Sequence, residues 1–286
     1  YRDLGFVSTD TMNCVSRHLE YAYQDWCIGS LAERLADTQT SQNFYESAKK
    51  VWNLWSEELQ HFAPKDNAGK WASPFDINVC RKDSWNDPYF YEGVSRSWTY
   101  NVQADFAGLV ARCGGEVGFE QHLDRYFEDK KIIAKETFMH IPYLYHYANR
   151  PDKSSKIVRR ILSKAYKPER FGIPDNEDMG CHSAFYICGL LGIYPMMGQD
   201  WYFLVAPAFE RSVITLGQSG AELIIEAQKA SDKNVYIESA SLNGARLDRA
   251  WIRHEEIKHG AVLSFSLSSS ETDWGRHNPP PSPLSS

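Results

Sequence analysis

Hydrophobic positions recur at helical spacing through most of the chain and at strand spacing toward its end. From Cys14 to Leu35, the residues Val15, Leu19, Ala22, Trp26, Leu31 and Leu35 fall on one broad stripe, as in a helix that buries one face. Phe44 to Leu59 repeats the pattern with Ala48, Val51, Trp52 and Trp55, so these two segments are predicted to pair as a hairpin. Trp98 to Arg112 reads as a further helix closed by Gly114-Gly115, since glycine readily takes the left-handed conformation that ends helices. Phe119 to Phe127 follows as its partner. Phe138 to Tyr147 stops before Pro151, Ser154 to Tyr166 comes next, and Gly180 to Leu191 ends at Gly192 and Pro195. Such a succession of paired helices predicts a toroid.

After Asp200 the period changes. Glu222–Ala227, Val235–Ala240 and Val262–Leu267 are short runs, two of them alternating, as strands with one buried face alternate. Asn243-Gly244 is a strong hairpin signal. A boundary is predicted at Met197 to Gln199, with a small β-sandwich-like domain over 198–275. Helices followed by strands imply segregated layers and not a parallel βα fold. The last stretch, 276–286, is Pro- and Ser-rich without apolar periodicity and is expected to be a disordered tail. The fold class is mainly α with a C-terminal β region.

Length and composition narrow the function. At 286 residues the chain holds one large domain or two unequal ones. With 43% apolar and 24% charged residues it is a folded protein, neither disordered nor collagen-like nor a coiled coil. A net charge of −6 leaves no basic face to neutralise phosphates, which argues against nucleic acid as a partner. The longest apolar stretch, Ala184 to Met197, is broken by Gly189, Gly192 and Pro195 and falls short of the roughly 20 residues a membrane span needs. The six cysteines are scattered with no C-x-x-C pair, as small buried hydrophobes or disulfide partners. No Asn-x-Ser/Thr sequon occurs, and the chain opens at Tyr1 with no leader, so it is expected to be a fragment whose signal peptide was cut off or left out.

No G-x-G-x-x-G, P-loop, H-E-x-x-H or G-x-S-x-G is present, which removes support for dinucleotide, phosphate-loop, zincin and serine-hydrolase chemistry. Two acidic centres stand out instead. Trp85 to Tyr100 holds six aromatics in sixteen residues, where average placement gives about two. Trp85 and Trp98 offer flat faces that suit a sugar ring, as they also suit a core. Glu92 sits among these rings, and a carboxyl denied water favours its protonated form, as a general acid requires; a solvated loop glutamate is the plain alternative. In the second centre, Asp175-Asn-Glu177-Asp178 directly precedes a predicted helix, whose dipole favours ionised carboxylates. Asp178 is then suited to act as a base. Capping explains one acid there but not three, and the group could also offer oxygens to a hard cation such as Ca²⁺. One neutral acid and one charged carboxylate are what glycoside hydrolysis divides between its two groups. Glu136 and His140 lie four apart, on one face of a predicted helix, either lining the same cavity or forming an ordinary surface pair.

Leu19-Glu-Tyr-Ala-Tyr-Gln-Asp-Trp26, Tyr91-Glu-Gly93, Asn176-Glu-Asp-Met-Gly180 with Ser183-Ala-Phe-Tyr186, and Gly192-Ile-Tyr-Pro195 resemble, in order, motifs of glycoside hydrolase family 92. The resemblance runs from about Leu4 to about Trp274 and corresponds to the C-terminal part of a member, without its N-terminal β-sandwich and first barrel helices. It implies an inverting, calcium-dependent exo-α-mannosidase acting on a mannose-containing glycan outside the cell, in the periplasm or at the cell surface. It also implies a partial (α/α)6 toroid over 1–197. By the same resemblance Glu92 is the general acid, Asp178 the base that activates water, Glu177 a calcium ligand, and Glu136 and His140 hold the sugar. The chain departs from the family pattern at Lys135 (Asn), Met139 (His), Ser155 (Gln), Cys181 (Gln) and Ala104 (His). A lysine ammonium beside a cation site repels the metal. Two alternatives follow: a sugar-binding protein without turnover, and an exo-glycosidase for another α-linked sugar.

Overall fold

The computed structural model describes residues 1–83, 85–128, 135–217 and 219–285. The chain divides into two compact units, one formed by Tyr1–Gly115 with Ser282–Ser286 and the other by Glu116–Pro281.

In the first unit, α1 (Cys14–Arg34) and α2 (Thr38–Ala48) form the predicted hairpin. Asp37 starts α2 by accepting from the Thr40 N–H at 3.1 Å, an N-cap bond. A Cβ at Gly29 would stand 2.7 Å from the Tyr45 ring, so only glycine allows the helices to approach this closely. The helix expected to reach Leu59 instead tightens into a 3₁₀ turn, Lys49–Leu54, and ends at a short ladder of β1 (Trp55–Ser56) and β2 (His61–Phe62). That change of direction lets Trp52, Trp55 and Phe62 pack ring against ring, with centroids 5.4 to 5.8 Å apart.

The single helix predicted over Trp98–Arg112 is two: α3 (Ser95–Trp98) and α4 (Phe106–Arg112). Asp105 interrupts it by accepting from the Gly108 N–H at 3.0 Å, a capping role that competes with helix continuation. Buried Asn101 and Gln103 occupy the irregular stretch between. Against this stretch the chain's end is anchored, contrary to the expected disorder. The Leu284 N–H donates to the Ala104 carbonyl at 2.9 Å and the Ala107 N–H to Ser282 Oγ at 3.0 Å. The Leu284 side chain joins Trp26, Ala48 and Ala104. One apolar residue and two hydrogen bonds hold a segment with no periodicity of its own.

The second unit contains α5 (Gly115–Glu128, its first residue shared with the first unit), α6 (Pro151–Ala165) and α7 (Cys181–Leu191). Between α5 and α6 the predicted helix is two 3₁₀ turns, Glu136–Phe138 and Ile141–Ala148. Every residue of the second turn is buried, so no polar face exists for an amphipathic helix to present, and Pro142 lacks the N–H that one would need. Tyr143 lies at its centre, stacked on Tyr194 with centroids 4.2 Å apart and on Phe203 at 5.5 Å.

Helix gives way to strand at Ile193. Strands β3 (Ile193–Pro195), β4 (Trp201–Leu204) and β9 (Trp251–Arg253) form one antiparallel sheet. Strands β5 (Arg211–Leu216), β6 (Ala221–Gln228), β10 (Ala261–Ser268), β7 (Tyr236–Leu242) and β8 (Ala245–Leu247) form another in that spatial order, with β10 parallel to β6. The three predicted strands are β6, β7 and β10. Leu223, Ile225 and Ala227 of β6 and Leu263, Phe265 and Leu267 of β10 point into one shared core, the period-two burial expected of a sheet with one covered face. Asn243 and Gly244, at φ 52° and 80°, make the tight turn from β7 to β8. Pro281 and Asn278 accept from Tyr147 Oη–H and Trp251 Nε1–H at 2.9 and 3.1 Å, which ties this part of the expected tail as well. All six cysteines are free thiols. Among the described residues no helix is long and apolar enough to cross a membrane.

Candidate functional site

The first N–H groups of a helix have no partner within it. In α1 they serve to hold the segment that carries Glu92. Cys14 N–H donates to the Pro88 carbonyl at 3.2 Å, and Val15 N–H to that of Tyr89 at 3.0 Å. Asn13, in the left-handed conformation at the head of α1, donates its amide to the Asp87 and Phe90 carbonyls at 2.7 and 3.2 Å. The buried Asp87 carboxylate closes the loop on itself. Its Oδ2 accepts from Arg81 N–H at 2.6 Å and its Oδ1 from Tyr89 and Phe90 N–H at 2.8 and 2.9 Å. Tyr91 is then fixed at both ends of its backbone: its N–H donates to Ser16 Oγ at 2.9 Å and its carbonyl accepts from Trp98 Nε1–H at 2.7 Å.

Glu92 follows directly, half-buried and at φ 50°. A side chain with a Cβ is strained in this left-handed region, and such strain persists only where the surroundings over-determine it. The clamp around residues 87–91 supplies that determination. The two tryptophans proposed from sequence part company here. Trp98 is 2% exposed and serves as a core residue that fixes the Tyr91 carbonyl, so the expectation of a sugar-binding face is corrected for it. Trp85 is 52% exposed and meets the Tyr91 ring edge-on at 5.4 Å, which leaves its face open.

The second acidic centre lies in the other unit. Glu177, not Asp178, reaches the start of α7: its Oε1 accepts from the Ser183 N–H at 3.0 Å and its Oε2 from Ser183 Oγ at 3.2 Å. Met179 and Gly180, both left-handed at φ 53° and 75°, reverse the chain between them. Asp178 is left exposed at the head of this reversal. Asp175 pairs with Lys135, its Oδ2 2.6 Å from Nζ, and that hydrogen bond holds its carboxyl below the usual range. The Cys181 thiol is pushed up by burial and then by the nearby carboxylates of Glu136 and Glu177. Burial likewise raises the Tyr166 phenol, whose hydroxyl is 3.0 Å from His182 Nδ1. Lys135, Glu136, Tyr166, Asp175, Glu177, Cys181 and His182 thus form one charged and aromatic cluster at the head of α7.

Glu136 and His140 do not share a helix face. Glu136 opens one 3₁₀ turn and is half-buried, whereas fully buried His140 precedes the next. With three residues per turn, spacing by four no longer brings side chains into line. The residues sequence reasoning passed over are those that hold others in place: Asn13, Ser16, Asp87 and Ser183. Two of them carry local signals, since Asp87-Pro88 favours a turn and an Asn before a helix favours a cap.

The donors present do not fit a calcium ion, which takes six to eight oxygens. Both Glu177 oxygens are engaged by Ser183, and Asp175 is covered by an ammonium. Among the described residues no three His, Cys, Asp or Glu side chains converge on a point that could hold a metal. Glu177 serves in this structure to hold the start of α7.

The family model for the glycosyl hydrolase family 92 catalytic domain matches residues 1–269. An uncharacterized secreted glycosidase of Arthroderma benhamiae is 28% identical over 306 residues, a span that covers 98% of this chain and 39% of that protein. Among solved structures, a family GH92 α-mannosidase of Bacteroides thetaiotaomicron superposes with TM-score 0.90 at 28% identity, over 99% of this chain and 39% of that one. A GH92 inverting mannosidase of the same species gives 0.89 at 28%, over 100% and 42%. The chain spans about two fifths of the length of these relatives. Matched over nearly its whole length by the catalytic-domain model, this chain belongs to glycosyl hydrolase family 92.

Proposed function

We propose that the protein is a glycoside hydrolase that releases terminal α-linked mannose by a single displacement with inversion. The observation that carries this reading is the family 92 catalytic-domain match over residues 1–269, joined by likeness to α-mannosidases at TM-score 0.90. In this mechanism Glu92 gives its proton to the glycosidic oxygen as the bond from that oxygen to C1 breaks. Asp178 takes a proton from a water molecule whose oxygen attacks C1 from the opposite face. The products are mannose of inverted configuration and a free alcohol, and exchange with solvent returns each carboxyl to its starting state. The clamp on residues 87–91 supports the first role, because a general acid must be held within hydrogen-bond reach of the leaving oxygen. Exposure of Asp178 supports the second, since water reaches it unaided. Trp85 offers its open face to the sugar, and Glu136 and His140 help to hold it.

In the same reading the helical segments of 1–197 are part of an (α/α)6 toroid and the strands of 198–275 a β-sandwich-like domain. The protein acts outside the cell, periplasmically or at the cell surface; the secreted relative supports this. Glu92→Gln, which keeps size and loses the transferable proton, is expected to abolish hydrolysis of aryl α-mannosides while the circular dichroism spectrum stays unchanged; full activity would remove Glu92 from the acid role. The Lys135–Asp175 ion pair favours a second reading, a sugar-binding protein without turnover. Calorimetric binding of a mannoside with no free mannose released would select it.

A further inference from the structure

We propose that the Lys135 ammonium takes the place of a divalent cation in the acidic turn 175–178 and that this turn binds no calcium. Carboxylates gathered this closely repel one another unless a positive charge lies among them. Asp175, Glu177 and Asp178 fall within four residues, and Glu136 approaches the same place through Cys181. Lys135 answers this charge directly, with Nζ 2.6 Å from Asp175 Oδ2. The two side chains are only 27% and 23% exposed, so water screens their attraction less than it would on an open surface.

Glu177 is engaged as well. Both Glu177 oxygens accept from Ser183 at the start of α7, so a metal there would have to share them with the helix start. A dication placed among these carboxylates would also lie beside the ammonium and be repelled by it. Lysine serves here as a tethered point charge: compact, with three donors, and always present at neutral pH. The inference concerns binding at this turn and stands or falls whether or not the protein turns over a glycoside.

The test is calcium titration of the whole chain after chelator treatment, followed by calorimetry and by thermal unfolding, for wild type, Lys135→Asn, Lys135→Arg and Glu177→Gln. Wild type and Lys135→Arg are expected to show neither saturable heat nor a shift in Tm up to about 1 mM calcium, the weak end of protein calcium sites. Lys135→Asn, which exchanges the ammonium for an oxygen donor, is expected to unfold at lower temperature and to recover with added calcium. Saturable binding by wild type that Glu177→Gln abolishes would overturn the proposal. So would a Lys135→Asn protein with wild-type Tm and no response to calcium, or a Lys135→Arg protein that gains calcium binding.

Discussion

Replacing Asp87 by alanine removes the acceptor for three backbone N–H groups, those of Arg81, Tyr89 and Phe90. Leaving a buried donor unsatisfied costs about 1–3 kcal/mol. The Phe90 N–H is buried and carries that cost in full, whereas those of Arg81 and Tyr89 are part-buried and recover some of it from water. The sum is about 3 kcal/mol, a large effect for one substitution in a loop. Asp87→Asn should cost less, about 1–2 kcal/mol: its Oδ1 can still serve Tyr89 and Phe90, but its amide then faces the Arg81 N–H with two donors opposed. Urea denaturation followed by tryptophan fluorescence measures both variants. Because the same loop carries Glu92, kcat on an aryl α-mannoside should fall more than KM rises. A stability loss under about 0.5 kcal/mol for Asp87→Ala, the range of an ordinary surface change, would refute the account of how this loop is built.

Other predictions follow from particular contacts. His146 is fully buried, with Nε2 2.9 Å from the Leu204 carbonyl and Nδ1 2.7 Å from the Tyr143 carbonyl and 2.9 Å from Ser154 Oγ; the two carbonyls favour the charged ring, but burial outweighs them. Burial lowers its pKa to about 4, and that of buried His18 similarly. The unfolded chain therefore binds more protons than the folded one between pH 6.5 and 4. Stability is complete above that window and declines as pH falls through it, by about 3 kcal/mol per histidine at most. Denaturation midpoints across this range test the claim, and His146→Gln should flatten the slope; a variant with the wild-type slope would refute it. Trp98→Phe keeps the ring but loses the bond to the Tyr91 carbonyl, and should cost about 1–2 kcal/mol together with a drop in kcat; unchanged kcat would separate Trp98 from Glu92 placement. Deleting Pro283–Ser286 removes the Leu284 anchor and should lower stability by about 1–2 kcal/mol. An unchanged unfolding midpoint would show that the anchor contributes nothing.

Local pattern was readable wherever local forces decide. The α1 stripe and the alternation in β6 and β10 each bury one face, and Asn243-Gly244 needs no distant partner to turn. Sequence periodicity misled where a single residue redirects the chain, as Asp105 does within the expected helix 98–112. It also misled where burial is complete on all sides, as in Ile141–Ala148. The candidate site follows the same division. The concentration of rings around Glu92 was visible, but which ring is core and which is open depends on the fold, so Trp98 and Trp85 looked alike. Pairing of Lys135 with Asp175 joins positions far apart in sequence, and no spacing rule reaches it. The reversal at Met179-Gly180 brings Glu177, and not Asp178, to the start of α7, and two consecutive left-handed residues cannot be foreseen when one of them is methionine.

The most direct measurement of the central claim is the configuration of the sugar at the moment of release. Proton NMR during rapid hydrolysis of an aryl α-mannoside distinguishes the two anomers before they interconvert. Single displacement by water activated at Asp178 gives β-mannose first, with the α anomer appearing only afterwards. Initial release of α-mannose would require a covalent intermediate on a carboxylate and would contradict the roles assigned to Glu92 and Asp178.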